Sequence, residues 1–178
     1  MKIVWAILLG GLAAGVLDIL YAFVVYGSLS YGIAPERILQ SVAAGWIGRD
    51  ASRAGGMETA ALGLATHFML ATIMAAIYVL LATRVSALTK QALLWGFVYG
   101  LILYVAMNYV VVPLSASATG HFATAAEIGR RLQDAFSEVR GGGGEDYPWM
   151  LWGTIFTHTV LVGLPISLIA KRFLHQQT

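Results

Sequence analysis

"GLATHFMLATIMAAIYVLLATR", residues Gly63–Arg84, is apolar over most of its length, and between its ends carries one ionisable imidazole, His67. As a helix rising 1.5 Å per residue, such a run reaches across the ~30 Å hydrocarbon core of a bilayer. Backbone polar groups in lipid must find partners within the segment, which selects a helix; a β-barrel would need short alternating segments. The run therefore sets the fold class. The histidine inside it sets the functional question, and "IFTHTVL" (Ile155–Leu161) repeats that question around His158.

Working outward, the apolar runs predict four transmembrane helices over residues 3–27, 57–82, 92–113 and 149–170, an all-α integral membrane protein forming one domain over 1–178. Composition agrees. Hydrophobic residues make up 58% and charged residues 11% of the chain, against roughly 25% charged in soluble domains. Mean hydropathy is +0.75. A net charge of +2 is too small to point to nucleic acid. The absence of cysteine excludes disulfides and thiolate metal sites. The first run is too long for the apolar part of a signal peptide, holds Asp18 and lacks a small-residue cleavage site, so it reads as a retained span.

Four spans put both termini on one side. That side holds Lys2, Arg84, Lys90, Lys171 and Arg172 and no acid. The other side holds Arg37, Arg49, Arg53, Arg130, Arg131 and Arg140, spread over two longer loops among eight acids. Basic residues close to span ends in short loops set orientation, which predicts cytoplasmic termini and two outer loops.

The first two spans resemble the last two. "GLAAG" (Gly11, Gly15) corresponds to "GFVYG" (Gly96, Gly100), and Thr66-His67 to Thr157-His158. In the first outer loop Ile38, Leu39, Val42, Ala43, Trp46 and Ile47 share one helical face, with Pro35 suited to the first turn. In the second, Ile128, Leu132, Ala135, Phe136 and Val139 do the same. Ile38, Val42 and Trp46 match Ile128, Leu132 and Phe136 at one constant offset. The reading is two similar hairpins, 1–86 and 92–175, each with an amphipathic interfacial helix in its outer loop and a symmetry axis along the membrane normal.

Counted from the cytoplasmic end, Asp18 and His67 lie roughly 22 Å up, Asn108 roughly 24 Å and His158 roughly 18 Å. Every span thus puts one strongly polar residue into one layer, with Tyr21, Thr66, Tyr104, Tyr109 and Thr157 near it. Asp18 follows Gly11 and Gly15 on the same stripe, and Gly96, Gly100, Tyr104 and Asn108 step by four. Small residues mark close helix packing in lipid, so these polar groups are expected to face inward. An ionised Asp facing lipid costs at least ~2.5–3.5 kcal/mol, and pairing with histidine would remove much of that cost. Asp18, His67, Asn108, Tyr104 and His158 are the candidate proton-, ion- or ligand-binding residues. Two histidines and a carboxylate could also hold a divalent metal, without any tight ligand spacing to support it. A clamp that only fixes helix register is the plainer alternative.

Other residues read as structural. His121 and His175 look solvated. Trp5, Trp95, Trp149 and Trp152 fall near span ends, where aromatic belts occur. Met57, Met69 and Met74 read as packing residues. The glycines at 141–144 read as a flexible hinge. Ser28, Ser30, Ser115 and Ser117 lie near the outer boundary without the motif a hydrolase needs.

Thr66-His67 opening a span that ends "AAIYVLLATR", the short basic turn after it, "WGFVYGLILYVAMNYVVVPLS" with Pro113 near its end, and His158 followed by Lys171-Arg172 together give the chain a likeness. Over spans two to four it resembles the YagU-type family of small bacterial inner-membrane proteins. The first outer loop departs from that family, lacking a proline-rich entry. The resemblance implies a four-helix inner-membrane fold and brings no activity.

The function these observations suggest is non-catalytic: an inner-membrane protein whose Asp18/His67/His158 site binds a proton, ion or small ligand for transport or sensing. Two alternatives stay open. One is a b-type haem held between His67 and His158, with the glycines of the first and third spans leaving room for the macrocycle. The other is an accessory subunit of a larger membrane complex, or a homo-oligomer, docking through lipid-facing glycines.

Overall fold

The structure, a computed structural model, describes residues 1–174; His175 and the end of the second repeat lie outside them. The chain runs through α1 (Lys2–Ser28), α2 (Pro35–Ile47), α3 (Arg49–Ala54), α4 (Gly56–Ala82), α5 (Ala87–Lys90), α6 (Ala92–Leu114), α7 (Ala125–Phe136) and α8 (Met150–Leu174). There is no named strand among the described residues. Helices α1, α4, α6 and α8 are long and apolar enough to cross a membrane. Three of them match the expected spans to within a residue at each end. The fourth continues past residue 170 through Lys171 and Arg172, cations that favour the carbonyl end of a helix.

Three of the four are not uniform. Phe23–Ser28 of α1, Ala106–Val111 of α6 and Thr157–Gly163 of α8 are π-helical. Two have a cause in the sequence. Pro113 and Pro165 each stand two residues beyond a π stretch, and a proline ring clashes with the carbonyl four residues back while offering no N–H. Widening the helix takes up the misfit: Val112 N–H donates to Met107 O, and Leu164 N–H to Thr159 O. At the end of α1 no proline is involved. There Leu29 N–H donates to Val24 O at 3.0 Å, and the Ser30 hydroxyl serves Val25 O at 2.6 Å.

The chain divides into two compact units, each drawing on all four long helices. The first comprises Met1–Tyr21, Phe68–Tyr104 and the described residues from Gly153 onward. Its core is built of small residues, Ala6, Ala14, Ala75, Ala82 and Ala170, around Tyr78, Tyr99, Val79 and Ile166. Small residues let backbones meet. A Cβ at Gly11 would stand 2.7 Å from Thr72 Cα, and one at Gly163 2.9 Å from Gly100 N. The two core tyrosines find backbone acceptors, Tyr78 at Leu88 O (2.9 Å) and Tyr99 at Met74 O (2.7 Å). The outward faces stay apolar, with Leu93 65% exposed; a surface of that kind implies lipid as its neighbour.

The second unit comprises Ala22–His67 and Val105–Trp152. Its α2 begins at Pro35 after an extended Ala34, and meets α4 where Gly63 faces the Leu39 carbonyl. The Trp46 indole donates to the Thr66 hydroxyl at 2.9 Å. Gly48, at φ +82°, ends α2 against Gly120, leaving 2.7 Å between its would-be Cβ and Gly120 Cα. Helix α7 starts with a reciprocal cap between Thr124 and Glu127.

The glycine run read as a hinge is a pinned turn. Gly141 and Gly144 take positive φ, and Gly143 pairs with Tyr147. The Tyr31 hydroxyl donates to Gly143 O at 3.0 Å, the Tyr147 hydroxyl donates to Ser30 O at 3.0 Å, and the two rings meet edge to face at 4.7 Å. This reciprocal clasp ties the first loop to the end of the second.

Candidate functional site

Asp18 is half-buried on α1, on the stripe it shares with Gly11 and Gly15. Its Oδ1 accepts a hydrogen bond from the Thr157 hydroxyl at 2.8 Å. Thr157 opens the π-helical stretch of α8 and is itself buried. Tyr21, one turn beyond Asp18, packs against Phe156 with ring centroids 6.2 Å apart.

His158 is half-buried and follows Thr157 directly in the chain. Its Nδ1 lies 2.8 Å from the Thr154 carbonyl one turn back. A carbonyl only accepts, so Nδ1 carries the hydrogen, and in the neutral ring the lone pair sits on Nε2. The Tyr104 ring meets the imidazole edge to face at 5.9 Å. A carboxylate, a hydroxyl and an imidazole of defined tautomer therefore belong to one unit, along a stretch whose helix is widened. Widened turns of this kind recur at functional sites.

His67 and Asn108 belong to the second unit. Half-buried His67 follows Thr66, the acceptor for Trp46. Asn108 sits within the π stretch of α6. Tyr109, expected near the polar layer, packs its ring against Phe136 of α7 with centroids 5.0 Å apart and accepts from Arg140 N–H at 3.2 Å.

Two cofactor readings meet this geometry. Among the described residues no group of three or more His, Asp or Glu side chains is placed to hold a metal ion. The haem reading relied on space beside the glycines. A Cβ on Gly15 would press on the Phe68 ring at 2.7 Å, and one on Gly100 would strike the His158 carbonyl and Thr159 Cα. Neighbouring helices already fill those positions, so the glycines leave no slot for a macrocycle.

His121 is exposed, as expected, and it also joins a polar cluster on the second loop. Its Nε2 lies 3.1 Å from Arg131 Nη2 and 3.3 Å from both Glu127 oxygens, and its Nδ1 lies 3.3 Å from Thr119 O. Arg131 is 7% exposed. It donates to Ser115 O at 3.3 Å and Glu127 Oε2 at 3.2 Å, while its buried Nε has no partner among the described residues. The Thr124 backbone N–H and hydroxyl, with smaller help from His121 and Arg131, hold the Glu127 carboxyl down at about 2. Sequence reading missed this cluster, although Thr124 followed three residues later by Glu127 is a helix-start pattern.

The chain matches no known family profile, no curated protein and no solved structure.

Proposed function

We propose that this is a non-catalytic, multi-pass protein of the bacterial inner membrane that takes up a proton at Asp18, coupled to transport or sensing of a small ion or ligand. The observation that carries this reading is the Thr157–Asp18 hydrogen bond inside a membrane span. A carboxyl group is expensive at such depth, and intramembrane carboxyls with hydroxyl and imidazole company mark proton and ion paths. Thr157 steadies one oxygen. His158, with its Nδ1 hydrogen committed to Thr154 O, offers Nε2 as the proton-accepting atom of the same unit.

The finer architecture belongs to the same proposal. Two similar hairpins are supported by the order of elements, since each half has a glycine-striped span ending in a π turn, a loop helix, and a span with Thr-His. Exposed Trp46 and Ile47 on α2, and Ile128 and Phe136 on α7, suit helices lying at the membrane interface. Cytoplasmic termini follow from the acid-free basic set, and the likeness to the YagU-type family supplies the inner membrane.

The test is infrared spectroscopy on the full chain in lipid nanodiscs across a pH titration. A carboxylic-acid carbonyl band should grow on acidification, vanish in Asp18→Asn and shift in Thr157→Val. A wild-type band left unchanged by Asp18→Asn would overturn the proposal and leave Asp18 as a clamp that fixes helix register.

A further inference from the structure

The first loop holds a concave site whose lining does not include Asp18. The segment after α1, helices α2 and α3, and Ser117 beyond α6 surround a cleft of about 920 Å³. Its lining includes Arg37, Arg49 and Arg53, set against one acid, Asp50, with Tyr31, Ser41 and Ser117 as further polar groups. Arg49 and Arg53 stand four residues apart on α3 and so share a face, a spacing at which like charges repel.

The arginines of this chain differ in how they are neutralised. On α7, Arg131 pairs with Glu127 at 3.2 Å and Arg130 approaches Asp134 at 3.8 Å. Among the described residues no carboxylate pairs with Arg37, Arg49 or Arg53. Arg37 is nonetheless held in place. Its Nη1 donates to Gln40 Oε1 at 2.9 Å and to Arg53 O at 3.2 Å. Gln40 is 2% exposed, and its amide is anchored on Gly56 O at 2.9 Å. The Ser52 hydroxyl fixes the Gln40 carbonyl at 2.6 Å. A buried amide thus orients one guanidinium toward a cleft where two more lack a paired carboxylate among the described residues. Preorganised donors lower the ordering cost of binding, and guanidinium forks match phosphate oxygens in pairs.

We propose that this cleft binds a phosphate-bearing anion, held by Arg49 and Arg53 with Arg37 as the preset third donor. The volume is within the range of small-molecule sites, roughly 300–1,000 Å³. The phosphate could belong to an anionic phospholipid headgroup or to a soluble compound, and the chemistry of recognition is the same.

Two arms separate the sources. The full chain in phosphatidylcholine nanodiscs is titrated calorimetrically with pyrophosphate. In parallel, nanodiscs containing phosphatidylglycerol are opened and the lipid retained on the protein is counted by native mass spectrometry. R49Q and R53Q are the variants, because neither side chain has an ion-pair partner to lose among the described residues. R130Q, on α7, is the matched removal of charge outside the cleft. Saturable pyrophosphate binding, weakened roughly tenfold or more by R49Q or R53Q and unchanged by R130Q, supports a soluble phosphate ligand. Retained phosphatidylglycerol that is lost in the R49Q/R53Q double variant, but not in R130Q, supports a headgroup. The proposal is overturned if neither arm shows saturable binding, if the cleft variants leave it intact, or if R130Q weakens it equally.

Discussion

At the scale of the residue, the sharpest contrasts come from glycines and from Glu127. Gly100 faces the His158–Thr159 backbone, whereas Gly129, on α7, has nothing within 4 Å of its would-be Cβ. Gly100→Ala is expected to cost about 1–3 kcal/mol through overpacking. Gly129→Ala should gain about 0.5–1 kcal/mol in helix propensity. Thermal unfolding in detergent of both variants beside wild type checks the pair, and equal shifts would contradict the packing described for α6 and α8. Glu127 gives a pH dependence with a definite sign. Its carboxyl is held at about 2, below the ordinary 4.5, so the folded state prefers the ionised form. Its contribution is complete above 4.5 and is lost as pH falls toward 2. Wild type should therefore exceed Glu127→Gln in unfolding temperature near neutrality and approach it in acid. A gap that widened on acidification would refute the assignment. Asp18 and His158 stood out in the sequence because a titratable group in an apolar run is costly in lipid and therefore rare. Thr157 as partner of Asp18 did not, because a hydroxyl in a helix is unremarkable and the contact spans 139 positions. The Thr154–His158 bond is local, one turn apart, and so could have been read.

At the scale of the element, the four long helices were legible because lipid leaves a backbone only the helix or the closed barrel, and unbroken apolar runs of this length fit the helix. The loop helices were legible where a proline opened one and an apolar face ran through both. The π stretches were not drawn, yet two of their causes, Pro113 and Pro165, stood in plain sight within or beside apolar runs. What the sequence could not supply was the choice between a kink, a break and a widened turn, because packing around the proline decides it. That choice matters for Thr157 and His158. Pro165→Ala restores an N–H able to reach Leu161 O, and should tighten the stretch toward α-geometry. The expected result is a more stable protein whose Asp18 carboxyl band moves as in Thr157→Val. Higher stability with an unmoved band would show that the π geometry does not set the Asp18–Thr157 bond.

At the scale of the whole molecule, orientation is the quantity most open to direct test. Alkaline phosphatase fused after the last residue should be inactive in cells, and fused within the glycine run at 141–144 should be active; the reverse pattern would invert the topology. The clasp of Tyr31 and Tyr147 has a bearing on biogenesis. Ribosomes deliver the chain from its N-terminus, so Ser30 and Tyr31 leave the tunnel long before Gly143 and Tyr147 exist. The first loop is therefore among the earliest parts to be synthesised and among the last to be finished. A nascent chain stalled after the third span would carry its arginines on a loop still waiting for its fastening, and quality-control proteases would meet the unfastened form first.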